Sequence, residues 1–568
     1  MSHNFFMRGE FVRSRRALPV FAVVSLSLLF PQEMARATPA GIPPAAGAAV
    51  VEPPLADGEV QQVGPGVYST ADRSFEIYET DVAVGLMSRS HTVAVQPDGV
   101  SKPESAPVSR TDMGVFGPGW EAEFVGGRLN RKLELRDDTA VITDLTVNAA
   151  VTYTLKSSLD FPDGGGARKY ASSEGDTFTE TTRFNEATGT MESTATETVN
   201  MATSVPDEDL SADTDAGVPG DLDQLTPTYT WKQVAAGADN WRVTGVGTVA
   251  NAALSTVTYD TAGRVAAVKD TEIGETTSRL LAVKYSTATT ATSTTPGEFA
   301  GRVREITLAD GATVQTLARY SYDTSGLLRS VANPAEGIEA VSSYAYDTTG
   351  RVSDVTSPAN GDWDLSFPAG SASPDVDPVG PERPTEDAPL EGAGGITDPA
   401  AGGPLPTDFT DGEITDPQAY PRHCSAATDW LWYLKSNCAA WAAHYGWHRP
   451  YFKVTPTKHR VVGINYDGCS TPGPNISRPG GFNFRVACDM HDYGYGLIGN
   501  TYKGYRYYLD RSKKTNVENA FHTTMKTYSC KAYFITRRPA CNSFAYAYYK
   551  AVSNKKWGGQ PKTGADAT

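Results

Sequence analysis

Tyr-Asp-Thr-x-Gly occurs three times in a short span, as Tyr259-Asp260-Thr261-Ala262-Gly263, Tyr322-Asp323-Thr324-Ser325-Gly326 and Tyr346-Asp347-Thr348-Thr349-Gly350. Each unit ends a run of strand formers and is followed at once by another: Arg264-Val265, Leu327-Leu328 and Arg351-Val352. Each unit reads as a strand ending at Tyr-Asp, a turn made by the polar pair plus glycine, and a return strand. A hairpin repeated in this way predicts an antiparallel array. Runs rich in Thr, Val, Tyr and Ala, separated by turn residues, extend the pattern over 66–368 with few helical periodicities.

The cysteines divide the chain. All six (Cys424, Cys438, Cys469, Cys488, Cys530 and Cys541) fall in the last 145 residues, which predicts a small disulfide-stapled domain over 420–568 and an oxidising destination. Their spacing alone selects no pairing. Residues 369–419 are rich in Pro, Gly and Asp, with Arg383 the only basic residue, and read as an acidic linker. From Tyr420 onward 21 Lys and Arg stand against 7 Asp and Glu, a net of +14, so the overall −16 leaves −30 for residues 1–419. A basic tail is drawn to anionic lipid headgroups, and an acidic remainder can shield it. At the N-terminus Arg8, Arg13, Arg15 and Arg16 precede an apolar run from Ala17 to Phe30, and Ala35-Arg36-Ala37 offers a small-residue cleavage site. Residues 1–37 therefore read as a signal peptide and 38–65 as a flexible segment, and the expected location is secreted.

Within the basic tail, Cys488-Asp489-Met490-His491-Asp492-Tyr493-Gly494-Tyr495 carries the chemistry. Cys488, His491, Asp492 and Tyr495 are spaced by three and four residues, so on a helix they share one face. An imidazole titrates near neutrality and its neutral ring nitrogen can take a proton from water, which makes His491 a candidate general base. Upstream, Tyr466-Asp467-Gly468-Cys469-Ser470 offers a second carboxylate and a tight loop with carbonyl oxygens, the donors a hard cation such as calcium prefers. His444, His448, His459 and His522 have no carboxylate or cysteine at a metal-binding spacing and read as surface or packing residues.

Together these residues resemble the secreted phospholipase A2 superfamily, and its small prokaryotic and fungal branch in particular. The matching residues are the Asp467-Gly468-Cys469 loop, Gly481-Phe482-Asn483-Phe484 with Ala487-Cys488, Ala520-Phe521, Met525-Lys526, Cys530, Ala540-Cys541-Asn542-Ser543 and Tyr548 to Val552. The resemblance implies an ester hydrolase acting on phospholipid, with His491 as base and calcium held by Asp467, the Gly468 carbonyl and Asp492. It also implies disulfides Cys469 to Cys488 and Cys530 to Cys541, leaving Cys424 with Cys438. Were 424–438 one helix, those two Cα atoms would stand about 21 Å apart, so that last pair demands a bend. One position departs from the family pattern: the aspartate that normally steadies the base aligns with Glu518, one methylene longer, and Asp510 is a less well-aligned substitute.

The Tyr-Asp units resemble YD repeats of the Rhs type, as does Met113-Gly114-Val115-Phe116-Gly117-Pro118-Gly119-Trp120, which is similar to a segment preceding such repeats. Proteins of that type carry a variable C-terminal effector behind a β-sheet shell. The fold class expected is therefore multidomain, a mainly-β YD-repeat region followed by a mainly-α, disulfide-bonded phospholipase A2-like domain. With so few units, a partial sheet is expected and not a closed shell. The expected partner is a phospholipid membrane surface, anionic and bound peripherally, with no nucleic acid. Two readings compete with this one: a nuclease-type toxin using its basic charge, and a non-catalytic adhesion or carbohydrate-binding protein in which the repeats act.

Overall fold

The computed structural model describes residues 60–69, 73–94, 110, 112–201, 223, 225–234, 240–271, 276–310, 313–334, 341–357, 361–368, 375–378, 452–454, 460–462, 469, 479–484, 487–488, 491 and 514–553. Residues 1–37, most of 369–419, Cys424, Cys438, Asp467, Gly468, Asp492 and Asp510 lie outside them.

Eighteen strands, from β6 (Arg131–Leu135) to β23 (Asp375–Pro378), form one closed barrel. This corrects the expectation of a partial sheet. Each strand pairs antiparallel with the next, and the same up-and-down order runs on through the repeat region. Strand structure is also wider than the sequence limits. β1 (Val60–Val63) lies within the segment expected to be flexible, and β23 lies within the expected linker.

The repeats show why hairpins follow one another in register. In each Tyr-Asp turn one aspartate oxygen accepts two backbone amides, from Ala262 and Arg264, Ser325 and Leu327, or Thr349 and Arg351. The other oxygen takes the guanidinium of Arg264, Arg329 or Arg351. Gly263, Gly326 and Gly350 close the turns at φ of 77°, 80° and 82°, where a side chain is strained. Each tyrosine hydroxyl then reaches back to the preceding hairpin. Tyr285 donates to the Val265 carbonyl at 2.9 Å, Tyr322 to Val303 at 2.7 Å and Tyr346 to Leu328 at 2.6 Å. Those acceptors are the cross-strand partners of Tyr259, Tyr285 and Tyr322, so the tyrosines form a ladder across the wall. Tyr285 is a fourth unit that the motif misses because Ser286 stands in the aspartate's place.

Several barrel strands bury one face only, whereas β13 (Trp241–Thr248) is buried on both. In β8 (Ala149–Asp160), Ala149 and Tyr153 are buried while Ala150, Thr152 and Thr154 are exposed. A second sheet of five strands runs from β1 to β5 (Trp120–Glu123) and is covered on both sides: in β3 (Ser74–Val82) every residue but Thr80 is buried. Its two faces have different partners. On one, Asp81 takes Arg89 at 2.9 Å and Tyr320 at 2.9 Å, Arg89 of β4 (Met87–Ala94) donates to Tyr344, and His91 accepts the Val352 amide, so this face lies on the barrel wall. On the other, Glu76 and Tyr78 meet lysines of the C-terminal region.

That region contributes α1 (Lys514–Thr524), a π-helical turn (Met525–Ser529) and α2 (Arg538–Val552). From Arg538 to Ala551, α2 is buried at every residue except half-buried Ala540. A helix on the surface of a small domain leaves its polar stripe in water. Here the polar side chains find barrel partners instead. Ser543 meets the Tyr229 hydroxyl at 2.7 Å, Tyr546 meets Ser255 at 2.7 Å, and Lys550 meets Asp270 at 2.7 Å.

Candidate functional site

Two disulfides assemble the tail, Cys469 to Cys488 and Cys530 to Cys541, with Cα atoms 5.0 and 5.6 Å apart. The first ties the loop residue that follows Asp467-Gly468 to the helical residue three before His491. The second ties the exit of α1 to the first turns of α2.

The Gly480-to-Phe484 stretch docks on α2 by simple geometry. Phe482 and Phe484, two apart on extended chain, point the same way and meet Phe544 and Tyr548, one helical turn apart, at ring distances of 6.1 and 5.5 Å. Tyr533 completes the corner, packing edge-on to Phe482 and accepting the Asn483 amide at 2.7 Å. A Cβ at Gly480, which sits at φ 60°, would come within 2.7 Å of the Phe544 ring. Helical backbone follows at Ala487 and Cys488, and again at His491.

His491 is half-buried with its Nε2 shielded from solvent, and its ring lies 4.8 Å from that of Phe521 on α1. Glu518, 5% exposed, precedes Phe521 by three residues and so shares its side of α1. Both residues of the proposed base pair therefore belong to one neighbourhood. The proposed calcium ligands Asp467, Gly468 and Asp492, and the substitute Asp510, lie outside the described residues.

His522 is a packing residue, not a surface one. Burial pushes its pKa well below the ordinary imidazole range, with Lys526 and Arg128 adding to the effect, so it is neutral. It fills the space over Gly126, where a Cβ would come within 2.9 Å of the ring, and its ring centroid is 5.6 Å from that of Tyr549.

The residues that the sequence reading missed are lysines. Lys526 Nζ stands 3.2 Å from Glu123, 3.5 Å from Glu76 and 4.3 Å from the centre of the Tyr78 ring, while Lys531 reaches Glu76 at 2.5 Å. Five residues apart on a regular α-helix they would point about 140° away from each other. The π-helical turn between them brings both to one carboxylate. The available signal was Met525-Lys526 within the matching pattern, but nothing local marks a lysine as buried.

Among the described residues no group of acidic, histidine and cysteine side chains forms a metal site, and no helix is long and apolar enough to cross a membrane. Residues 450–556 match the family model for prokaryotic phospholipase A2. No curated protein matches the chain.

Proposed function

We propose that the C-terminal region is a calcium-dependent phospholipase A2 that cleaves the sn-2 acyl ester of glycerophospholipids, exported as the effector part of an Rhs-type chain. The observation that carries this is the placement of His491 within the family match: a half-buried ring on the side of α1 that bears Glu518. In this reading Nδ1 of His491 takes the proton of the attacking water. Nε2 is the nitrogen shielded from solvent, and in this reading Glu518 would steady it and its carboxylate would stabilise the imidazolium as it forms. Asp467, the Gly468 carbonyl and Asp492 would hold calcium, an all-oxygen donor set of the kind that ion takes. The Cys469 to Cys488 bond supports the fit, because it ties the neighbours of both carboxylates together. Calcium, when bound, supplies stabilisation of the oxyanion. The recurrent Tyr and Asp hydrogen bonds of the wall support the YD-repeat reading.

The test is release of fatty acid from ester-linked phospholipid vesicles by the full chain and by a chain opened at a protease site inserted after Gly403. In calcium the opened chain should yield sn-2 fatty acid and 1-acyl lysophospholipid, excess chelator should stop the release, and His491→Asn should reduce it at least about 10²-fold. Undiminished hydrolysis in chelator, or cleavage of nucleic acid in place of lipid, would overturn the assignment.

A further inference from the structure

We infer that the helical face now docked on the β region is also the face by which the tail engages an anionic phospholipid surface, so that the two associations exclude each other. The inference rests on the phospholipase reading only in that a lipid surface holds the substrate.

Three tail lysines, Lys526, Lys531 and Lys550, are each less than a tenth exposed, and each is paired with a carboxylate contributed by the β region. Glu76 and Glu123 serve the first two, and Asp270 serves the third. The contacts form one continuous patch. The turn after β3 runs through its middle, with the Ala83 carbonyl accepting the Tyr549 hydroxyl at 3.0 Å and Gly85 lying against Asp270 and Leu281. Leu86 and Gly126 then lead to His522, beside Lys526 and Arg128.

Stability does not account for this choice of residues. A buried ion pair is worth little more than apolar side chains of the same volume, because desolvation offsets the attraction. A face meant only to pack on the barrel would serve as well with apolar residues in place of both the three lysines and their carboxylates. Cations interleaved with Tyr546 and Tyr549 instead suit a face that must also meet headgroups, where aromatic rings with polar tips and lysines settle together. The net +14 of residues 420–568 adds long-range attraction of the same sign. Glu76, Glu123 and Asp270 then occupy the places that lipid phosphates would take.

The experiment is flotation of the full chain with ether-linked vesicles, which are not hydrolysed, made of phosphatidylglycerol or of phosphatidylcholine. Glu76→Gln with Asp270→Asn should raise binding to phosphatidylglycerol vesicles at least about tenfold over the unsubstituted chain, and leave phosphatidylcholine binding unchanged. Adding Lys526→Gln, Lys531→Gln and Lys550→Gln should abolish the gain. Should the double variant not fold, Asp270→Asn alone, an isosteric change that leaves Ser255 and Arg279 beside the amide, should show a smaller gain of the same sign. No gain in a folded variant, an equal gain on phosphatidylcholine, or a gain that survives loss of the lysines overturns the proposal. Failure of the phospholipase reading would look different: binding as described, with no ester cleaved in the enzymatic assay.

Discussion

Lys550 and Asp270, 280 positions apart in sequence, meet at 2.7 Å with side chains 5% and 1% exposed. One belongs to the helical tail and the other to β15 (Val265–Thr271), in the repeat wall. Their bond joins two regions that composition would place on opposite sides of a linker. Asp270 also accepts Arg279 at 2.9 Å and Ser255 at 3.1 Å, so its charge has a second, more exposed counter-ion.

Lys550→Met should therefore destabilise the folded chain by about 3 kcal/mol, the low end for breaking a buried pair, since Arg279 still faces the carboxylate. Adding Asp270→Leu should recover part of the loss. Chemical denaturation of the two variants checks this, and a single variant as stable as the unsubstituted chain would show that the pair contributes nothing.

Acid should undo the same interface. Burial would raise the Glu76 carboxyl, yet Lys531 and Lys526 hold it down to about 2, below a free glutamate near about 4.3. Its stabilisation is thus complete above the unfolded value and disappears as pH falls through about 2. Asp270 follows the same sign, since Lys550 and Arg279 outweigh its burial. Glu123 opposes them. Burial raises it despite Lys526, so its contribution is present in acid and fades as pH rises. With two depressed carboxylates against one raised, stability should fall between pH of about 4 and 2, followed by tryptophan fluorescence and circular dichroism. A chain equally stable at pH 2 and pH 7 would contradict the assignment.

Tyr322→Phe removes one rung of the tyrosine ladder and leaves the buried Val303 carbonyl short of a donor. The expected cost is about 1 to 3 kcal/mol. Because the rung joins successive hairpins, amide exchange should quicken in β17 (Val303–Asp310) and β19 (Leu328–Ala332) ahead of the rest of the barrel. Uniform exchange would mean the hydroxyl does not hold the hairpins together.

In the opened chain His491→Asn should reduce turnover by at least about 10²-fold with calcium affinity nearly unchanged. Glu518→Gln should cost less and should act on kcat more than on KM, as it keeps the shape but removes the charge proposed to stabilise the imidazolium. Equal kcat in the glutamine variant would move the steadying role away from Glu518.

The packing around His491 among the described residues was legible where the residues are close in sequence or joined by cysteines. Cys488 and His491 declare one helical face by spacing, and Phe482 with Phe484 declare an extended strip that needs two partners a turn apart. The sequence left His522 open between surface and packing, and it gave no sign that the three lysines are buried. Their burial depends on Gly126, Glu76, Glu123 and Asp270, which are contributed by strands and turns hundreds of residues away.

The sequence by itself determined the hairpins. A Tyr-Asp turn is closed by contacts within a few residues, between the aspartate, the amides that follow and the glycine's positive φ, so a local pattern suffices to specify it. It also determined the disulfide-stapled tail and its charge. Closure of the wall is decided elsewhere, by the summed twist and register of eighteen strands, many of whose turns carry no Tyr-Asp signal. The polar face of β3 was equally silent. Alternating Phe75, Glu76, Ile77 and Tyr78 reads as a strand wet on one side, and only the arrival of Lys526 and Lys531 makes that side an interior. Burial is a property of what covers a surface, and here the cover comes from the far end of the chain.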